Sequence, residues 1–214
     1  MGDLDFISVN THSSVRLETK GGTVVYVDPF GFETEPHDAD LILITHTHYD
    51  HFSPEDIAKV RKLHTKFVMP AGEMVTFIKA GFTDESAAFL VPGESAPILP
   101  DVGIEIYSAY NVNKSFHPID EGWMGYVVCF DGVRVYVAGD TDDLEENHDI
   151  ECDVAMVPVG GTYTMDAREA AEFVNVIKPA VAIPIHYGTV AGSPGDGEAF
   201  ARLVDPGIRV ELKL

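Results

Sequence analysis

The stretch Leu41-Ile42-Leu43-Ile44-Thr45-His46-Thr47-His48-Tyr49-Asp50-His51 decides how the rest of the chain is read. Four consecutive branched apolar residues suit a strand buried on both faces, because a half-exposed strand would alternate apolar with polar residues. The run ends directly at a cluster of His46, His48, Asp50 and His51, so a rigid element delivers four side chains into one loop. Imidazole nitrogens and carboxylate oxygens are ligands for Zn, Mn or Fe, and the absence of cysteine from the cluster argues against a closed structural zinc site. Four donors within six positions exceed what one ion with an open coordination position needs. Two ions are the natural reading, with a solvated histidine-rich loop as the plainer alternative.

Upstream lie extended segments at 5–9, 14–19 and 23–27, the last two separated by a turn at Lys20-Gly21-Gly22. Downstream, Ser53-Pro54-Glu55-Asp56 opens a helix: Ser caps it, Pro fits its first turn and two acids favour its positive end. Ile57, Val60 and Leu63 then recur at helical spacing. The same device returns at Ser193-Pro194-Gly195-Asp196, ahead of Phe200, Leu203 and Val204. A further helix is expected over 164–177, with Ala170, Phe173, Val174 and Ile177 on one face and a stop at Lys178-Pro179. Strands are expected at 102–109, 126–130, 133–138, 154–159, 180–185 and 208–213, with Asp131-Gly132 turning a hairpin. Residues 92–101 read as a loop. Helices with one apolar face each cover sheets from outside, which gives a layered α/β architecture, expected as a single domain over 1–214.

Of the 214 residues, 45% are hydrophobic and 23% charged, the composition of a globular chain with a sizeable core. The formal charge of −21, from 35 Asp+Glu against 14 Lys+Arg, excludes nucleic acid as a natural partner, since binding a polyanion needs clustered Lys and Arg. A small-molecule substrate is expected instead. Cys129 and Cys152 lack metal-type spacing and read as small buried residues. The N-terminal Met-Gly-Asp-Leu-Asp-Phe lacks the basic and apolar regions of a signal peptide, and no run approaches the roughly 20 apolar residues of a membrane helix. No membrane partner and a cytoplasmic location are therefore expected.

His46-x-His48-x-Asp50-His51 resembles the signature of the metallo-β-lactamase superfamily, and later segments fit in the order that family requires. Phe116-His117-Pro118 resembles its third histidine motif, Val135-Tyr136-Val137-Ala138-Gly139-Asp140-Thr141 the strand that ends in its bridging Asp, and Ile183-Pro184-Ile185-His186-Tyr187 its final histidine. Taken singly, His117 and His186 also suit core histidines. The resemblance implies a four-layer αββα sandwich and a dinuclear centre. In it His46, His48 and His117 hold one metal, Asp50, His51 and His186 hold the second, and Asp140 bridges them.

It further implies that Asp28, at the end of Val24-Val25-Tyr26-Val27, orients the ligand loop from outside it; a turn Asp before Pro29 is the alternative. His12 and the segment Pro158–Asp166 are similar to the branch that includes ascorbate-6-phosphate lactonase, which makes His12 and Tyr163 candidate substrate contacts. Gly160-Gly161 would let backbone approach a ligand, or else forms a strand-to-helix turn with a Thr164 cap. His37, His64 and His148 fall outside these motifs and read as surface residues.

The implied activity is metal-dependent hydrolysis of a small ester, lactone or phosphodiester by a metal-bridged hydroxide, with Asp50 as the catalytic proton carrier. Two divalent ions are expected, zinc first and manganese or iron as alternatives. An iron-dependent oxidoreductase of the same fold and a non-catalytic metal-binding protein are the rival readings. Flavin-coupled di-iron relatives tend to carry Glu where this chain has His48, which counts against the former.

Overall fold

Successive side chains of a strand point to opposite faces, and the run at 41–44 uses both. Leu41 and Leu43 enter one apolar core, Ile42 and Ile44 a second, and all four are fully buried. The computed structural model, which describes residues 4–214, shows what covers each face.

Strands β1 (Ile7–Val9), β2 (Val15–Glu18), β3 (Val24–Val27), β4 (Ala39–Leu43), β5 (Arg61–Pro70) and β6 (Ala87–Leu90) form a six-stranded sheet in chain order. It is antiparallel from β1 to β3 and parallel from β3 to β6. Strands β7 (Ser95–Leu99), β8 (Val102–Ser108), β9 (Met124–Phe130), β10 (Val133–Val137), β11 (Val154–Pro158), β12 (Val181–Ile185) and β13 (Arg209–Val210) form a seven-stranded sheet, again in sequence order. Here the antiparallel part runs from β7 to β10 and the parallel part from β10 to β13.

The two sheets share a central core in which Val25, Val27, Leu41 and Leu43 meet Tyr126, Val128, Val135, Val137, Met156 and Ile183. Outside the first sheet, Ile42, Ile44 and Phe67 pack with Ile57 and Val60 of α1 (Pro54–Val60) and Phe77 of α2 (Met74–Lys79). Outside the second, Tyr136, Ala155 and Val157 pack with Ala170, Phe173 and Val174 of α3 (Ala167–Ile177) and Phe200 of α4 (Asp196–Ala201). The layers are helix, sheet, sheet, helix, as the resemblance implies. No helix among the described residues is long and apolar enough to cross a membrane.

Several elements differ from the sequence reading. α1 stops at Val60, and Leu63 lies 90% exposed on β5 rather than on a helical face. The stop is a competition that the sheet wins, because Arg61 already pairs with Ala39 of β4 and, after a shift of register, Lys66, Phe67 and Val68 pair with Leu41, Ile42 and Leu43. Residues 92–101 are not all loop, since Ser95–Leu99 forms β7 at the sheet edge, where Pro97 is tolerated. α3 starts at Ala167 under a capping box made by Asp166 and Glu169, while Thr164 is buried and caps nothing. Ser193 does not cap α4 either; Gly195 holds that position, and Leu203 is half exposed beyond the helix end. Cys129 and Cys152 are free and half-buried rather than fully buried. β6 and α2 carry too short a pattern to be read in advance.

All the parallel strands that matter end at the same edge of the sandwich. β3 leads to Asp28, β4 to the loop 46–51, β10 to Asp140 and β12 to His186. Ligand sites in such sheets sit at the carboxyl ends of strands.

Candidate metal centre

Three overlapping groups of donor atoms converge at this edge: His46, His48 and His117; Asp50, His51 and His186 together with His12; and His46, His51 and Asp140, with the donor atoms of each group within 4.8 Å of one another. The third group links the first two, and Asp140 stands between them. Its Oδ2 is 3.0 Å from His186 Nε2, 3.3 Å from His117 Nε2 and 4.0 Å from His46 Nε2, while its Oδ1 is 3.3 Å from His51 Nε2. All but His48, which is half-buried, are buried. The seven side chains singled out as metal ligands from the sequence are thus brought together around Asp140.

The buried atoms there lack partners in a way that points to cations. Six buried side-chain N or O atoms among the described residues have no hydrogen bond, and five belong here: His51 Nε2, His117 Nε2, Asp140 Oδ1 and both ring nitrogens of His186. His51, His117 and His186 each bring Nε2 within 3.0–3.3 Å of an Asp140 oxygen, so four of these five atoms face one another across a single carboxylate. An unpaired buried donor or acceptor costs about 1–3 kcal/mol, and a shared cation gives nitrogen and oxygen lone pairs the partner they lack. An all-nitrogen-and-oxygen set of this kind fits Zn, Mn or Fe.

A surrounding layer fixes the direction of each ring. Asp28 accepts from the Thr45 N–H at 2.8 Å and the Thr45 hydroxyl at 2.6 Å, and its Oδ2 lies 2.7 Å from His51 Nδ1, which turns His51 Nε2 inward. These are the contacts of an orienting residue, not of a plain turn. His117 Nδ1 faces Asn111 Oδ1 at 3.0 Å and the Tyr163 carbonyl at 3.2 Å, and Asn111 is tied in turn to Asp142, which pairs with Lys114. The Trp123 ring packs 4.9 Å from both His46 and His48, centroid to centroid, and its Nε1 donates to the buried Glu73 at 3.0 Å. Sequence reading missed Asn111, Trp123 and Glu73. Asn111 and Trp123 lie in the irregular link between β8 and β9, where no periodicity marks them.

His12, expected to touch substrate, is fully buried behind the site. Its Nε2 is 3.2 Å from Asp50 Oδ2 and its ring lies 3.9 Å from that of His186, so it backs two residues of the cavity floor and is not itself among the residues lining the cavity. His12, Asp28 and His186 all adopt positive φ (52°, 48° and 58°). Such backbone costs of order 1–3 kcal/mol per residue and persists where surrounding contacts over-determine it, commonly at functional sites. Gly160 is also corrected: it approaches protein, not ligand. A Cβ there would lie 2.3 Å from the His186 carbonyl oxygen. Gly160→Ala is therefore expected to displace His186 and destabilise the fold by about 1–3 kcal/mol, read as a lowered melting temperature. His37 and His64 are exposed, and His148 is half-buried 2.7 Å from Asp143, all outside the site.

Burial holds the imidazoles of His12, His46 and His48 below their ordinary value of 6.5, helped for His46 by the neighbouring His51. Burial also works against protonated His51, but Asp140 and Asp28 overcome it and push its pKa up to about 9. Burial opposes the Asp140 anion too, yet His186 and His51 hold its carboxyl well below the usual range. These shifts give metal-free protein a definite pH profile. The three depressed histidines bind fewer protons folded than unfolded, so stability falls as pH drops below 6.5. The stabilisation from His51 is complete below 6.5 and disappears as pH rises through about 9. The melting temperature of chelator-treated protein is expected to peak near pH 6.5 and decline on both sides; a flat profile between about pH 5 and pH 9 would count against this electrostatic picture.

Above the donors opens a cavity of about 250 Å³. His48, Asp50, His117, Asp140 and His186 form its floor; Tyr49, Phe116, Tyr163 and Val190 form a collar around it. A larger hollow of about 560 Å³ beside β7 and β8, lined in part by Glu94, Glu105 and Glu146, contains none of these donors. Arg168 lies outside the cavity, 69% exposed and paired with Glu172.

Two facing sheets flanked by helices, with a histidine and aspartate cluster at their shared edge, define the metallo-β-lactamase class of metal proteins. Residues 7–186 match the model of the beta-lactamase superfamily domain, and the chain belongs to this family. It is 30% identical over 205 residues to a UPF0173 metal-dependent hydrolase of Thermococcus kodakarensis, covering 90% of this chain and 89% of that protein. A solved structure from Parabacteroides distasonis matches with a TM-score of 0.81 and 32% identity, over 97% of this chain and 92% of that one. A metallo hydrolase from Ignicoccus hospitalis matches with a TM-score of 0.76 and 27% identity, over 96% and 93%.

Proposed function

We propose that this metal-dependent hydrolase works with two divalent cations, zinc foremost, on a small ester, lactone or phosphodiester. The observation that carries this reading is the set of five buried, unpartnered donor atoms on His51, His117, Asp140 and His186. His46, His48 and His117 would hold one cation, Asp50, His51 and His186 the other, with Asp140 shared. Such a pair supplies an acidified water, polarises a carbonyl or phosphoryl oxygen and steadies the leaving oxygen.

The protein's own groups complete the chemistry. Asp50 lies on the cavity floor with its Oδ2 fixed by His12, so its carboxylate is positioned to take a proton from the attacking water and return it to the leaving group. Burial works against the Asp50 anion, but the hydrogen bond to His12 and the neighbouring His51 together keep that carboxyl below its usual range, hence ionised at neutral pH. Asp28 and Asn111 keep His51 and His117 pointed inward, as orienting partners do in metal sites.

Asp50→Ala is expected to lower turnover by about a hundredfold to ten-thousandfold, the usual contribution of a positioned proton carrier. The check is a panel of esters, lactones and phosphodiesters assayed with metal-loaded protein, alongside His48→Ala. Full activity in either variant would overturn the scheme, as would bound metal without turnover of any member of the panel.

A further inference from the structure

The collar differs from the floor in chemistry. Among the described residues lining the cavity the charged acids are Asp50 and Asp140, and neither Lys nor Arg is present. The cations closest in sequence to the lining residues are engaged elsewhere: Lys114 with Asp142 and Glu169, Arg168 with Glu172. A chain of formal charge −21 adds a field that opposes anions. Against this, Tyr49 is 68% exposed, Phe116 45%, Tyr163 36% and Val190 36%, all around one opening. Clustered exposed apolar side chains rimming a concave site mark a ligand surface.

The collar is also held in register with the floor. Tyr49 lies between His48 and Asp50 in the chain, and Phe116 directly precedes His117. Tyr163 is anchored through its carbonyl, which accepts from Asn111 Nδ2 at 2.8 Å and lies 3.2 Å from His117 Nδ1. The Phe116 and Tyr163 rings meet edge to face at 4.7 Å and 87°, forming a preformed apolar wall.

We propose that Tyr49, Phe116, Tyr163 and Val190 select a substrate whose reacting ester or lactone carries an uncharged apolar substituent, aromatic by preference, and that a further anionic group on that substituent is disfavoured. Substrates whose substituent carries a free carboxylate are then poor fits. This rests on the dinuclear reading above, and its test separates the two.

Metal content is measured first, and then the affinity of the metal-loaded protein is determined calorimetrically for acetohydroxamate, benzohydroxamate and 4-carboxybenzohydroxamate. All three carry the same metal-binding head, so their differences report the collar. An aromatic pair contributes about twofold to tenfold in affinity. Benzohydroxamate is expected to bind tighter than acetohydroxamate by at least that factor, and the added carboxylate to cancel the gain. Phe116→Ala and Tyr163→Ala are each expected to bring the ratio of the first two affinities toward one. The comparison among the three ligands on unaltered protein needs no variant to fold. Equal affinities for acetohydroxamate and benzohydroxamate, or tighter binding of the carboxylated ligand, would overturn the collar proposal while leaving the metal reading intact. Protein that takes up no metal would remove both.

Discussion

Asp140→Asn should strip the protein of at least one metal equivalent and lower kcat/KM by about three orders of magnitude, roughly 4 kcal/mol. The substitution keeps the size of the side chain and removes its charge. Asp140 is the residue that approaches both donor groups, with Oδ2 near His117 and His186 and Oδ1 near His51. Its loss leaves buried histidines facing an amide that cannot neutralise cations, whereas loss of any single histidine removes one donor from one group. Elemental analysis of protein purified with added metal, beside steady-state kinetics, measures both effects. A variant that retains its full metal content would show that Asp140 is not the shared ligand.

Chelation should lower the melting temperature by about 10 °C. A ligand that binds only the folded state at about a thousand times its Kd adds about 4 kcal/mol, and for a chain of this size each kcal/mol shifts the midpoint by about 2–4 °C. The physical source is the same set of unpartnered atoms: the unfolded chain gives them to water, the metal-free fold leaves them buried and unpaired. Scanning calorimetry with and without chelator, followed by readdition of Zn, Mn or Fe(II), reads the effect and ranks the metals. A midpoint indifferent to chelator would mean that the cluster holds no cation strongly enough to matter.

Much of this site was legible in the sequence because ligand chemistry and strand burial coincide at 41–51. A doubly buried strand read from four apolar residues placed the loop, and the family resemblance of the segments ending at Asp140 and His186, and of Phe116-His117-Pro118 in the link between β8 and β9, supplied the remaining donors. What could not be read depends on contacts remote in sequence. Trp123 lies against His46 and His48, and Glu73 holds it from 50 residues away. Asn111 turns His117 from within an irregular link, and a polar residue in such a link carries no local signal of its partner. His12 was recognised as near the site but misplaced relative to it, because burial behind Asp50 is a tertiary fact. Leu63 shows the same limit for secondary structure: its spacing fits α1, but pairing of β5 with β4 overrides it.

Anomalous diffraction at the metal edge from a crystal of metal-loaded protein tests the dinuclear centre most directly. Two peaks are expected about 3.5–4 Å apart, one among His46, His48 and His117, the other among Asp50, His51 and His186, with Asp140 between them. A single peak, or metal bound away from Asp140, would contradict it.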